Sequence, residues 1–228
     1  MTPPHDSGFI IAIDGPSGTG KSTVARRVAT SLHAGYLDTG AMYRIVTLAV
    51  LTAGIDPYDN VAVADLLPRL NFHSPTDPAG QHHELAGSDV GAAIRSPEVT
   101  AAVSPVSANP AVREWLKERQ QRLAASGRMV VEGRDIGTVI APDATLKIYL
   151  TAAEHVRAVR RHTDVGTNHR ADIETVRASL ARRDAYDSTR QHAPLMAADD
   201  AVLLDSSHLE IGQTVEAVLT LAAERGIE

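Results

Sequence analysis

The feature that most constrains this chain is an eight-residue loop, Gly15-Pro16-Ser17-Gly18-Thr19-Gly20-Lys21-Ser22. It satisfies the pattern G-x-x-x-x-G-K-[ST] at every position. Its flanks matter as much as the loop. Phe9 to Ile13 is an unbroken apolar run, suited to a strand buried on both faces of a parallel sheet. Val24, Ala25, Val28, Ala29 and Leu32 follow at spacings of three and four, on one face of a helix. Strand, glycine loop and helix together are the opening of an α/β fold. In such a loop, backbone N–H groups converge on phosphate oxygens, and glycines at 15, 18 and 20 let the backbone come close. The helix N-terminus beyond favours anions. The residues from Gly15 to Ser22, with Thr23, are therefore the expected cradle for ATP. Lys21 is placed to reach the β- and γ-phosphates, and the Ser22 hydroxyl to hold Mg²⁺.

Further along, the pattern keeps alternating. Tyr36-Leu37 reads as a short strand and Ala41 to Leu51 as a mostly buried helix, and Asn60 is the expected cap of a helix through Leu67. Leu70 to Gly87 changes character: it carries Pro75, Pro78, Gly80 and Gly87 and few apolar residues, as a small hairpin or sheet insert would. Its adjacent His82 and His83 lack further ligands at metal spacing and read as surface residues. Ser96-Pro97 and Asn109-Pro110 are helix starts with proline in the first turn. Met129 to Val131, Leu146 to Leu150 and Ala201 to Leu204 read as strands. Ala152 to His162, Asp172 to Asp184 and Ile211 to Ala223 read as helices. A parallel sheet with helices on both faces is the expected architecture.

Composition narrows the function classes. The 228 residues include no cysteine, which excludes disulfides and thiolate chemistry, and no apolar run long enough to span a membrane. The segment from Met1 to Gly8 lacks the features of a signal peptide, so a cytoplasmic protein is expected. The net charge of −6 argues against nucleic-acid binding through the phosphate backbone. Three lysines stand against nineteen arginines, eight of them between Arg157 and Arg190. Arginine presents a planar fork that suits phosphate. On the helices, Arg26, Arg27, Arg177 and Arg182 read as solvated or salt-bridged, and Trp115 as helix core.

The P-loop names a phosphoryl donor but no acceptor. Met129-Val130-Val131-Glu132 is a strand ending in a carboxylate placed to order water around Mg²⁺. No N-K-x-D motif or kinase-type catalytic loop is present. Arginines approach from Asp38-Thr39-Gly40-Ala41-Met42-Tyr43-Arg44, from Gly133-Arg134-Asp135, and from Arg182-Arg183-Asp184 through Asp187 to Arg190. Converging arginines around one P-loop point to two phosphorylated substrates. A kinase for another small acceptor and a non-catalytic nucleotide-binding regulator are the alternatives.

Taken together, these segments resemble the bacterial cytidylate kinase family over nearly the whole chain. D-[ST]-G-A-x-Y-R at Asp38 to Arg44 and G-R-D-x-G-T-V at Gly133 to Val139 carry the likeness most specifically, with Gly87-Ser88-Asp89-Val90 and Pro194-Leu195 in support. Gln121, where an arginine is usual, and Gly91, where a hydroxyl is common, depart from the family pattern. The resemblance implies a nucleoside monophosphate kinase fold. That fold has a parallel five-stranded sheet, a monophosphate-binding insert at about 70–95 and a lid at about 157–170, in a single domain. It implies transfer from ATP to CMP and dCMP; because one chain holds both sites and the lid, a monomer is expected. It also implies roles. Thr39 lies near the acceptor. Arg44 and Arg134 hold the CMP phosphate, with Arg183 and Arg190 closing around it. Ser104, Arg113 and Asp135 read the cytosine ring, and Asp187 with Arg183 holds the ribose. Arg157, Arg160 and Arg161 come in with the lid. Lys21, Arg134, Arg183, Arg157 and Arg161 form the implied catalytic set.

Overall fold

Five strands run parallel in the order β2 (Gly35–Asp38), β6 (Met129–Gly133), β1 (Ile10–Asp14), β7 (Leu146–Thr151), β8 (Val202–Asp205). The structure is a computed structural model that describes residues 8–165, 173–190 and 192–228. The expected tail from Met1 lies largely outside the described residues, as does the 166–170 part of the expected lid.

Strand periodicity explains the two layers. Ile11 and Ile13 point to one side, where α1 (Lys21–Ser31) and α8 (Ile211–Ala223) contribute Val24, Val28, Val218 and Ala222. Ala12 points to the other, into a core with Val131, Leu37, Met42 and Val46 from α2 (Thr39–Thr52), and Leu116 from α5 (Pro110–Ala124). Every one of these side chains is at most 2% exposed. Each such aliphatic contributes about 1.5–3 kcal/mol relative to solvent exposure. The central strand β1 is therefore fixed from both faces, and its C-terminal end cannot wander.

Between α2 and α5 the chain forms α3 (Asn60–Leu66), the antiparallel strands β3 (Phe72–His73), β4 (Glu84–Leu85) and β5 (Ser88–Asp89), and α4 (Pro97–Ala108). Asp59, and not Asn60, caps α3: its carboxylate accepts from the N–H groups of Val61 (3.1 Å) and Ala62 (3.0 Å). The small sheet leans on α2 through Val90 and Ile94 against Ala41 and Ile45. It is tied to the edge of the main sheet by Tyr36 N–H donating to the Thr76 carbonyl (2.7 Å). His83 is 2% exposed, contrary to the surface reading, because its ring packs inside this insert with Nδ1 3.2 Å from Ser74 Oγ. His82 does lie at the surface, 3.9 Å from Asp89.

Two helices follow β7: α6 (Glu154–Val165) and α7 (Ile173–Thr189). Both are longer than the sequence pattern predicts. Thr163 to Val165 continue α6, and α7 runs past Asp184 to Thr189, which places Arg183, Asp184 and Asp187 on one helix.

Candidate active site

Several of the expected site residues lie at or beside the C-terminal ends of β1, β2 and β6, among them the loop from Gly15, Thr39, Glu132, Arg134 and Asp135. Asp14 ends β1 in register with Gly133 of β6, and Asp38 ends β2 in register with Glu132. Carboxyl ends of parallel strands are where such sheets open a crevice.

The loop from Gly15 to Ser22 turns directly off β1. Gly15 has φ 145°, and a Cβ there would lie 2.0 Å from the Leu150 carbonyl oxygen. Only glycine fits. Gly20 caps α1 in the left-handed region with no side chain on the helix amides and no acidic residue in the first turn. The start of α1 is thus left for an anion. Lys21 is buried and folds back on the loop, with Nζ donating to the Pro16 carbonyl at 2.7 Å. Thr19 Oγ1 donates to the same carbonyl (3.2 Å). Burial, with Arg134 next, pushes the Lys21 ammonium down, and Glu132 pulls the other way.

Glu132 is buried and accepts a 2.6 Å hydrogen bond from the Tyr36 hydroxyl; Ser22 reaches the same carboxylate. Burial and then Asp38 raise its pKa. Thr39, also buried, donates to the Glu132 backbone carbonyl (2.7 Å), so the two residues are held together by both chain and side chain. No signal in the sequence had marked Tyr36.

Arg134 spans the site. Its Nε donates to Asp187 Oδ2 (2.8 Å), Nη1 to the Gly15 carbonyl (3.1 Å) and Nη2 to Ser17 Oγ (2.7 Å). Arg183 and Arg190 approach the same Asp187 carboxylate at 3.9 and 3.8 Å. Burial by itself raises the Asp187 carboxyl, and Arg134 with Arg183 and Arg190 more than offset it, leaving its pKa below the usual value. Burial, then Arg134 and Arg44, push Arg183 down to about 9. Burial, then Arg161, push Arg44 down to about 10. Cations that depress one another in this way leave a field that a bound anion would relieve. Among the described residues, Arg183 Nε and Arg190 Nη2 are buried donors with no hydrogen-bond partner.

A second cluster adjoins the first. Arg113 pairs with Asp135, donates to the Ser107 carbonyl (3.3 Å) and lies over the Tyr43 ring at 5.6 Å. Arg190 Nη2 is 4.0 Å from the other Asp135 oxygen. Ser104 lies half-buried on α4, its carbonyl accepting from the Ser107 hydroxyl (3.0 Å).

Some arginines are more committed than their spacing implied. Arg44 Nη1 donates to the Ile94 carbonyl (2.9 Å) and Thr100 Oγ1 (3.0 Å), joining α2 to α4 and to the turn before it. Arg160 donates to the Thr19, Ser206 and Leu209 carbonyls and to Ser206 Oγ, and so braces the loop against the segment after β8. Arg157 is buried, donates to the Ser17 carbonyl (3.1 Å) and pairs with Asp184. Arg161 contributes to the field on Arg44 and Arg183. Arg26, Arg27 and Arg182 are exposed, and Arg177 pairs with Glu154 and Glu174.

Two carboxylates were missed. Asp14 accepts from the N–H groups of Ile136 (2.8 Å) and Gly137 (2.7 Å), fixing the turn that presents Arg134 and Asp135. Its position at the end of the central strand is the signal that points to it. Asp184 accepts from the Ser17 N–H (3.2 Å), and its spacing of three from Asp187 puts both on one helical face.

The sequence profile of a family described as "Cytidylate kinase" matches residues 11–224. Cytidylate kinase of Rhodococcus opacus (strain B4) is 53% identical over 221 residues, covering 96% of each chain. That of Corynebacterium efficiens is 50% identical over 225 residues, covering 96% of this chain and 98% of the relative. Among solved structures, shikimate kinase from Bacteroides thetaiotaomicron superposes with a TM-score of 0.50 at 12% identity, over 95% of this chain and 99% of that one, a likeness of fold alone. No helix among the described residues is long and apolar enough to cross a membrane.

Proposed function

The chain belongs to the cytidylate kinase family, and from that premise we propose that it transfers the γ-phosphoryl group of ATP to CMP and dCMP, giving ADP and the corresponding diphosphate. The observation that carries the reading is the buried arginine cluster beside the P-loop, with Arg183 Nε and Arg190 Nη2 left without hydrogen-bond partners. A P-loop alone would bind one nucleotide. A second cationic cluster joined to it through Arg134 fits a second phosphate.

The reaction needs no general base, because a phosphate oxygen of CMP is already an ionised nucleophile. Catalysis is then alignment and charge neutralisation. The loop amides and Lys21 take the β- and γ-phosphates, which draw Nζ away from the Pro16 carbonyl. Arg134, bonded both to the loop and to Asp187, sits between donor and acceptor. Arg183, Arg190 and Arg44 supply the positive field for the CMP phosphate, and Arg157 and Arg161 extend it on the α6 side. Thr39 lies beside the acceptor, and Asp187 offers a carboxylate to the ribose.

The Asp135 cluster selects the base. Its carboxylate accepts from the exocyclic amino group of cytosine, with Arg113 and Ser104 alongside. Uracil would set a carbonyl there, and an unpaired buried acceptor costs about 1–3 kcal/mol. Magnesium fits the residues present: the Ser22 hydroxyl adjoins the Glu132 carboxylate, a sparse oxygen set of the kind an ion held largely by phosphates and water uses. When bound, it neutralises charge on the triphosphate. We infer a monomer, since one chain carries both halves of the proposed site.

The test is product identity. Incubation of the protein with ATP, Mg²⁺ and CMP should give ADP and CDP in equal amounts by nucleotide chromatography, with Lys21→Ala lowering the rate at least about 10²-fold. ADP without CDP would overturn the reading.

A further inference from the structure

The donor loop already carries an internal anion. Asp184 Oδ1 accepts from the Ser17 N–H at 3.2 Å, and Oδ2 pairs with Arg157. Arg157 returns to the same residue, donating from Nη1 to the Ser17 carbonyl at 3.1 Å. A P-loop amide and a buried guanidinium are two kinds of group that bind a phosphoryl oxygen. Here a carboxylate from α7 sits on both. The third polar group of Ser17, its hydroxyl, is held by Arg134, and Arg134 in turn holds Asp187. Ser17 therefore marks the end of the loop that faces the acceptor arginines, and Asp184 lies at that end.

We propose that Asp184 is a latch on the donor site, standing in for the terminal phosphoryl group of a nucleoside triphosphate until that group arrives. The inference rests on the kinase reading above. A terminal phosphoryl group brings more negative charge than a carboxylate and competes for Arg157 and the Ser17 N–H. A diphosphate has no such group and leaves the latch in place. Release of α7 from the loop is thus coupled to a triphosphate and not to the spent diphosphate, because only the former interacts differently with the latched and unlatched forms.

The experiment is calorimetric titration of the full chain with the Mg²⁺ complexes of ADP and of a non-hydrolysable ATP analogue. Asp184→Asn should raise the ratio of triphosphate to diphosphate affinity about tenfold, the size expected for losing a competing charge-assisted hydrogen bond. An unchanged or lowered ratio overturns the latch. The variant leaves Arg157 without its carboxylate and is open to misfolding, so a second measurement keeps Asp184 in place. The chain has no cysteine. Ser31→Cys on α1 and Ser179→Cys on α7, both exposed positions, therefore accept spin labels cleanly. The measured distance distribution should shift with the triphosphate analogue and stay unchanged with ADP; the same response to both contradicts the proposal. Failure of the kinase reading looks different, since the unmodified protein would then form no CDP.

Discussion

Replacing Arg134 with lysine keeps the charge and removes the fork. The guanidinium serves three directions at once: Asp187 at 2.8 Å, the Gly15 carbonyl at 3.1 Å and Ser17 Oγ at 2.7 Å. An ammonium on an unbranched stem can keep the Asp187 pair, which is the most strongly attractive, and loses at least one loop contact outright. Hydrogen bonds to charged groups contribute about 1.5–3 kcal/mol each. The Arg134 side chain is 16% exposed, so water restores only part of this. A stability loss of about 2 kcal/mol is expected. The catalytic cost is larger, because the fork aligns donor loop and acceptor site together. About 3 kcal/mol of lost transition-state stabilisation lowers kcat with CMP roughly 10²-fold. An ADP-coupled spectrophotometric assay, run beside urea denaturation, measures both. Arg134→Lys with kcat within twofold of the parent would show that charge alone suffices and that the bridging geometry is irrelevant.

Three further outcomes follow from the same geometry. Asp135→Asn should reduce the kcat/KM preference for CMP over UMP by about tenfold, since an amide can donate as well as accept; an unmoved ratio removes Asp135 from base reading. Gly15→Ala forces a Cβ against the Leu150 carbonyl oxygen at a position with φ 145°, and should lower stability by about 3 kcal/mol or more; a melting temperature equal to the parent's contradicts the packing. Burial, against the Gly137 and Ile136 N–H groups, raises Asp14 from 3.8 to about 6. A carboxyl raised in the folded state holds a proton that the unfolded chain has lost. Its contribution is therefore present below pH 3.8 and disappears as pH rises through about 6, a fall of about 3 kcal/mol that Asp14→Asn should abolish in urea titrations at stepped pH.

What the sequence made legible is what short-range chemistry dictates. The P-loop announces itself because its glycines, lysine and helix start are contiguous. The core strands do so because Phe9 to Ile13 and Met129 to Val131 are apolar without interruption. The arginine segments stand out by composition. Partner choice over long range was not legible. Arg44 and Arg160 have the same side chain as Arg134, yet tertiary packing commits the first to Ile94 and Thr100 and the second to Ser206 and Leu209. His83 reads as polar decoration until the three short strands close over it. Asp184 hid because its partner Ser17 is 167 residues away. The extension of α7 to Thr189 was missed because its residues carry little apolar periodicity, and the helix is held by ion pairs at one end of the site instead.

The most direct measurement is a panel of acceptors under one set of conditions: CMP, dCMP, UMP, AMP and shikimate, each with ATP and Mg²⁺, compared by kcat/KM. The proposed pairing of Asp135 with the cytosine amino group, beside a cluster of buried guanidinium donors, predicts CMP first and UMP at least about tenfold lower. Some loss is predicted for dCMP, where Asp187 lacks the 2′-hydroxyl. A preference of more than tenfold for any acceptor without a cytosine ring would contradict the assignment of the second site.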